Sequence, residues 1–185
     1  MHGWEVVSLD IDPKMRPTLV CDICAFDYKQ LGGTYDAVWC SPPCTHYSIA
    51  RSKAKTPRDL EGSDRCVQRC IDIIRHFAPA SWFIENPQSG LLKHRQVVAG
   101  LPYVDEDYCK FAFPYRERTR IWTNTSLTSR LCRHDCGASD GKKHTNWAQK
   151  AGKHRGDGFA REDLYNMPPL LCEDIFQAAR QTLAE

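Results

Sequence analysis

The chain lacks any apolar stretch long enough to cross a membrane, and its first residues lack a signal-peptide pattern. It is therefore expected not to span a membrane or be secreted, and to be intracellular: cytoplasmic, or nuclear in a eukaryote. No internal repeat or low-complexity tract is visible, so a solenoid or array is not expected. Net charge is also scarce, +2 over 185 residues. Apolar residues make up 42%, which argues against disorder and for one domain with a real core. Cysteine, by contrast, is plentiful: there are ten. Without secretion a disulfide framework is not expected, and reactive or metal-binding thiols come to the fore. Most of the ten are expected to be small buried hydrophobes.

The small net charge hides an uneven distribution. From Arg116 to Arg155, ten Lys and Arg face three acids, a local balance of +7, whereas residues 161–185 carry five acids and two arginines. A basic segment suits either a polyanionic partner or a solvated loop. Strand-like and helix-like patterns alternate along the chain. Glu5–Asp10, Thr18–Asp22, Asp36–Cys40 and Ser81–Ile84 read as strands. Arg58–Phe77 reads as a helix with Leu60, Val67, Ile71, Ile74 and Phe77 near one face, ended by Pro79. Phe111–Trp122 reads as two short strands around Pro114-Tyr115, and Pro168–Leu183 as a closing helix with Leu171, Ile175, Ala178 and Ala179 inward. Residues 124–160 look like an irregular basic insert within a single domain spanning 1–185. The pattern predicts an α/β fold with a mostly parallel sheet and helices on both faces. Ligands bind such sheets at the carboxyl ends of the strands, and Asp10, Asp22, Cys44 and Glu85 all fall there.

Two of those residues carry distinctive chemistry. Cys44 ends the run Trp39-Cys40-Ser41-Pro42-Pro43-Cys44, and Glu85-Asn86-Pro87 follows 41 residues later at the end of another apolar run. The Pro-Pro step cannot continue as helix, so it fixes the direction of the sulfur. A thiol and a carboxylic acid at neighbouring strand ends suit covalent activation of a pyrimidine ring. A thiolate adds to one ring carbon while the acid neutralises charge developing on a ring nitrogen. Each residue also has an ordinary structural use, as a buried thiol in a tight turn or an exposed acid at a strand end.

At these residues the sequence resembles the cytosine-5 DNA methyltransferases, over roughly residues 3–122. Pro43-Cys44 matches the family's nucleophile motif, and Tyr47-Ser48 stands where the family has Phe-Ser. Glu85-Asn86 matches its Glu-Asn motif. Arg116-Glu117-Arg118-Thr119-Arg120 matches Gln-x-Arg-x-Arg, with Arg replacing Gln. The resemblance implies a Rossmann-like methyltransferase fold and transfer of a methyl group from S-adenosylmethionine to carbon 5 of a cytosine flipped out of DNA. Cys44 would be the nucleophile and Glu85 the acid at ring nitrogen 3, with Arg118 and Arg120 favouring the thiolate. Ser48 and Asn86 would meet the substrate. The donor would lie against Asp10, Ile11, Asp22, Ile23 and Pro42, with Asp10 on the ribose and Asp22 facing the adenine amino group.

The sequence departs from that family in two places. The Gly-rich turn that holds the methionine end of the donor should lie before residue 3, and no clear match to the family's C-terminal Gly-Asn motif is found. An N-terminally truncated or split enzyme is therefore expected, needing a complementing N-terminal segment or a second chain. Beyond the resemblance, Cys132-x3-Cys136-x7-His144, with Cys109 as fourth ligand, is a plausible structural zinc series, with His134 and Cys172 as competitors. Arg51, Lys53, Lys55 and Arg58 follow the Pro-Cys turn without an intervening acid and can meet DNA phosphates or simply face water. Two other readings stay open. One is a non-catalytic nucleic-acid-binding module derived from such an enzyme. The other is an exocyclic amino-methyltransferase, which Ser41-Pro42-Pro43 approaches but position 44, Cys rather than aromatic, does not.

Overall fold

The computed structural model describes residues 3–145 and 166–184, without the side chains of Ser52 and Lys53. Its strands are β1 (Leu9–Asp10), β2 (Leu19–Val20), β3 (Ala37–Cys40), β4 (Ser81–Pro87), β5 (Tyr103–Asp107) and β6 (Arg118–Thr123). Among the described residues the α-helices are α1 (Leu60–Phe77) and α2 (Pro169–Ala184). The strands form a mixed arrangement: a parallel β1–β2 pair, and a four-stranded sheet in the order β3-β4-β6-β5.

The centre of the fold is the β3–α1–β4 crossover. Asp59 caps α1 by accepting a hydrogen bond from the Gly62 N–H at 2.7 Å, satisfying one of the free donors of the first turn. The helix ends at Ala78, whose left-handed backbone (φ 44°) lets its N–H return to the Ile74 carbonyl, and Pro79 then prevents continuation. Val67, Cys70, Ile71 and Ile74 recur at helical spacing and pack on Cys40, Ile84 and Trp122 of the sheet, with Tyr47, Leu92 and Val98. On the opposite face, Leu171, Ile175 and Ala179 of α2 cover Phe83 and Ile121. Helices thus cover both faces, and the inward residues of α2 are those its periodicity predicts.

The expectation of a mostly parallel sheet needs correction. In the four-stranded sheet only β3 and β4 run parallel; β6 pairs antiparallel with both β4 and β5. Strand β5 escapes a hydrophobicity reading because Tyr103-Val-Asp-Glu-Asp107 carries three acids. Two of its acids are matched across the ladder, and the third, Glu106, lies opposite Thr119. Asp105 lies opposite Arg120 and Asp107 opposite Arg118, each pair joined by two hydrogen bonds of 2.7–2.9 Å. The two short strands expected in 111–122 are instead a 3-10 turn at Tyr108–Phe111, a left-handed Ala112 and the single strand β6. The strands expected at Glu5–Asp10 and Thr18–Asp22 shorten to two residues each, with Val6, Val7 and Val20 exposed. This small sheet is anchored to α1 by Arg69, which donates to the carbonyls of Ile23 and Phe26 and lies over the Tyr28 ring. Of the insert expected at 124–160, residues 146–160 lie outside the described residues.

Ile84 is fully buried where β4 meets α1. Ile84→Ala should cost about 2–5 kcal/mol through lost contacts and a residual cavity. A denaturant titration should show a lower midpoint at unchanged slope.

Candidate active site

Asn86, at the end of β4, fixes the position of the Pro-Pro-Cys loop. Its side chain is 1% exposed, and its Nδ2 donates to the Pro42 carbonyl at 2.8 Å. Because β3 and β4 are parallel neighbours, this bond ties the segment leaving β3 to the end of β4. The Asn86 Oδ1 is buried and has no hydrogen-bond partner among the described residues. Beyond the prolines the chain folds back, and the Cys44 carbonyl accepts from the N–H groups of Tyr47 (3.0 Å) and Ser48 (2.9 Å). Tyr47 is fully buried, and its hydroxyl donates to Asp64 on α1 at 2.8 Å. Asp64 in turn is gripped by Arg95 through a 2.6 Å ion pair. The loop bearing Cys44 is therefore held from the sheet side and the helix side.

Glu85 lies on the α2 face of the sheet, the face opposite Asn86. Its carboxylate accepts from the Thr119 hydroxyl on β6 and from Ser41, whose oxygen accepts from the Trp39 indole at 2.8 Å. Burial pushes the Glu85 carboxyl upward from its ordinary pKa, and the two hydroxyl bonds offset this only in part. The Cys44 thiol is raised as well, first by burial and then by the charge of Glu85, with a smaller push from Glu117. The sulfur is thus near enough to Glu85 to sense the charge of its carboxylate.

Glu117 is a member of this cluster that the residue patterns did not single out. Burial and the Glu85 charge raise its carboxyl to about 7. Tyr108 borders the same group, its phenol raised by burial and by Glu85 and Glu117 while bonded to Thr119. The available signal was the alternation in Arg116-Glu117-Arg118-Thr119-Arg120. A period of two puts Glu117 and Thr119 on one face and the arginines on the other.

That same alternation places Arg118 and Arg120 away from Cys44. Both lie on the sheet face opposite Glu85, paired with Asp107 and Asp105, and Arg120 also stacks over the Tyr103 ring at 3.5 Å. Among the described residues, burial and the charges of Glu85 and Glu117 raise the thiol's pKa, and a backbone hydrogen bond lowers it.

The other expected site residues divide. Asp10 and Asp22 stand at the ends of β1 and β2, where their Oδ1 atoms accept from the N–H groups of Asp12 and Cys24, both at 2.8 Å. Ile11 is 67% exposed beside Asp10, whereas Ile23 packs toward the α1 core. A strand-end carboxylate next to an open apolar side chain fits the ribose and base of a nucleoside. Ser48 caps the short turn at Ile49–Lys53. Arg51 donates to the carbonyls of Thr56 (3.0 Å) and Pro57 (3.1 Å), so it braces its own loop. The side chain of Lys53 lies outside the described residues. Apart from all these, Cys109, Cys132, Cys136 and His144 converge with their ligand atoms within 4.8 Å of one another, a set compatible with zinc. His134 and Cys172 are not members of it.

No protein-family model matches the chain. It is similar to a protein of Frog virus 3 (isolate Goorha) named "Probable DNA (cytosine-5)-methyltransferase". The two are 28% identical over an alignment of 195 positions that takes in 94% of this chain and 89% of the viral protein. The resemblance drawn from the motifs therefore extends over most of both chains.

The coupling of thiol and acid has a measurable sign. Glu85→Gln removes the charge that opposes thiolate formation, so the pH midpoint for alkylation of Cys44 should move downward. Peptide mapping after iodoacetamide treatment at several pH values would read this at Cys44 specifically. An unchanged or higher midpoint would contradict the placement of the two groups.

Proposed function

We propose that this protein is an S-adenosylmethionine-dependent methyltransferase acting on carbon 5 of cytosine in DNA, built on a Rossmann-like fold in one domain. The observation that carries this reading is the placement of a thiol and a buried carboxyl at the ends of β3 and β4, with burial raising both pKa values and the Glu85 charge adding to the rise at Cys44. A carboxylate beside a thiolate is unfavourable in a poorly hydrated site. A neutral acid beside a thiolate is much less so. Transfer of the Cys44 proton toward Glu85 therefore produces the nucleophile and the acid in one step. The Cys44 sulfur then bonds to carbon 6 of the flipped base, and Glu85 gives its proton to ring nitrogen 3 as the ring electrons shift toward carbon 5. The bound donor would supply an electrophilic methyl group to that carbon. A water molecule then takes the carbon 5 proton, the freed electron pair expels the sulfur as the Cys44 thiolate, and ring nitrogen 3 returns its proton to Glu85, which restores the aromatic ring.

Asn86 acts as a positioning residue by holding Pro42, while Thr119 and Ser41 orient Glu85. Asp10 and Ile11 would receive the adenosine part of the donor. The Cys109, Cys132, Cys136 and His144 cluster stands apart from the reacting groups and takes no step in the transfer. Among the described residues, β1 pairs only with β2 and β3 only with β4, so each has a free edge. Those edges support completion of the donor site by a further strand and its turn, from a complementing segment or a second chain. The same edges, with Val6, Val7 and Ile11 exposed, also favour a second reading: a DNA-binding module that has lost methyl transfer. Action on DNA would place the protein inside the cell, and no helix among the described residues is long and apolar enough to cross a membrane.

DNA containing 5-fluorocytosine should become covalently trapped on the protein when donor is saturating, because carbon 5 then has no proton to lose. Cys44→Ser should abolish the adduct, and Glu85→Gln should slow its formation by at least about 100-fold, as expected for loss of a general acid. A denaturing gel would resolve the adduct. No adduct at saturating donor, alongside intact salt-sensitive DNA binding, would transfer support to the non-catalytic reading. Methyl recovered on the exocyclic nitrogen instead of the ring carbon would identify an amino-methyltransferase.

A further inference from the structure

We propose that Cys109, Cys132, Cys136 and His144 bind one zinc ion in a closed tetrahedral site that fastens the chain following β6 onto the turn following β5. The ligands come from three separate pieces of backbone. Cys109 sits in the 3-10 turn at Tyr108–Phe111, directly after β5. Cys132 and Cys136 flank a tight loop in which His134 adopts a left-handed conformation (φ 66°), reversing the chain between the two sulfurs. His144 arrives on a small hairpin closed by Thr145 N–H to the Ala138 carbonyl (2.9 Å) and Asp140 N–H to the Lys143 carbonyl (3.1 Å).

All four ligand atoms lie within 4.8 Å of one another, and the two sulfur–nitrogen distances match those of a tetrahedron. With Zn–S near 2.3 Å and Zn–N near 2.0–2.1 Å, adjacent sulfur and nitrogen ligands should be about 3.6 Å apart. The Nε2 atom of His144 lies 3.5 Å from the Cys132 sulfur and 3.4 Å from the Cys136 sulfur. Cys109, Cys132 and His144 are each less than a tenth exposed, so four protein ligands close the site and leave no open position for a reacting water. Three thiolates and an imidazole suit zinc rather than the hard cations. Binding one Zn²⁺ displaces three thiol protons and leaves a net charge of −1.

Packing alone gives this segment little reason to be ordered. From Asn124 to Thr145 the buried residues are Cys132 and His144, both members of the cluster. The remaining anchors are polar. The Cys132 N–H donates to Asp107 at 2.8 Å and the Arg130 N–H to Glu106 at 2.7 Å, while Lys110 pairs with Asp135 at 3.0 Å and Arg130 with Asp174 at 2.5 Å. Because Cys109 directly follows Tyr108, the metal would also fix the turn carrying the ring that borders Glu85 and Thr119.

Metal analysis of the full chain, purified without chelator, should find one zinc per chain. Replacing zinc with Co²⁺ should give the strong visible bands of a tetrahedral ion together with thiolate charge-transfer absorption. Cys136→Ser and His144→Ala should lose the metal, while His134→Ala and Cys172→Ser should retain it. The cobalt spectrum of the unsubstituted protein decides the matter even where a ligand variant fails to fold. A metal content far below one per chain that does not rise on reconstitution with Zn²⁺ would overturn the proposal. So would a weak, octahedral cobalt spectrum, or equal metal loss in Cys172→Ser. None of these readings depends on methyl transfer.

Discussion

A single buried hydrogen bond, from the Asn86 amide to the Pro42 carbonyl, sets the geometry on which the candidate site depends. Two prolines in succession cannot donate backbone hydrogen bonds, so the loop after β3 cannot extend the sheet ladder. It must be positioned by side chains. Asn86 reaches it from the adjoining strand, and Tyr47, through Asp64 and Arg95, fastens the chain just beyond Cys44 to α1. The intervening residues have little freedom, so Cys44 is presented at a fixed place beside the end of β4. A rigid loop of this kind lets a weakly acidic thiol act without the entropy cost of ordering it in each encounter.

The electrostatics of the sheet follow from strand alternation. On one face of β6, Arg118 and Arg120 neutralise Asp107 and Asp105, which allows an acid-rich strand to pair at all. On the other face, Glu85 and Glu117 crowd together with no arginine beside them, and burial raises both carboxyls. The three arginines of residues 116–120, two of them in β6, are thus engaged by Asp107 and Asp105. In the proposed reaction, activation of Cys44 comes from exchanging a proton with a neighbouring acid. Like-charge repulsion disfavours the doubly ionised pair, so the thiolate forms as Glu85 takes up a proton.

The segment after β6 poses a different problem, because it contributes almost nothing to either hydrophobic cluster. Its anchors are two acids of β5, Glu106 and Asp107, two ion pairs and the proposed metal ligands. The same β5–β6 hairpin presents Thr119 and Glu117 on one side and supports this segment on the other. The local order of the insert and the shape of the site wall therefore share one support.

The residue pattern determined α1 and α2, the positions of β3 and β4 and the four cluster residues, and it put forward the thiol and the acid of the proposed reaction. These features are local: helical periodicity, an apolar run broken by prolines, and ligand types at short spacing all survive without knowledge of the partner. It did not reveal β5, because acids in a strand look unfavourable until the arginines opposite them are known. It also misplaced Arg118 and Arg120 and passed over Glu117, because the face a strand residue occupies depends on its register against β4 and β5. Register, and with it the choice of which charges meet, is a property of three strands brought together from distant parts of the chain. Only the tertiary structure could decide it.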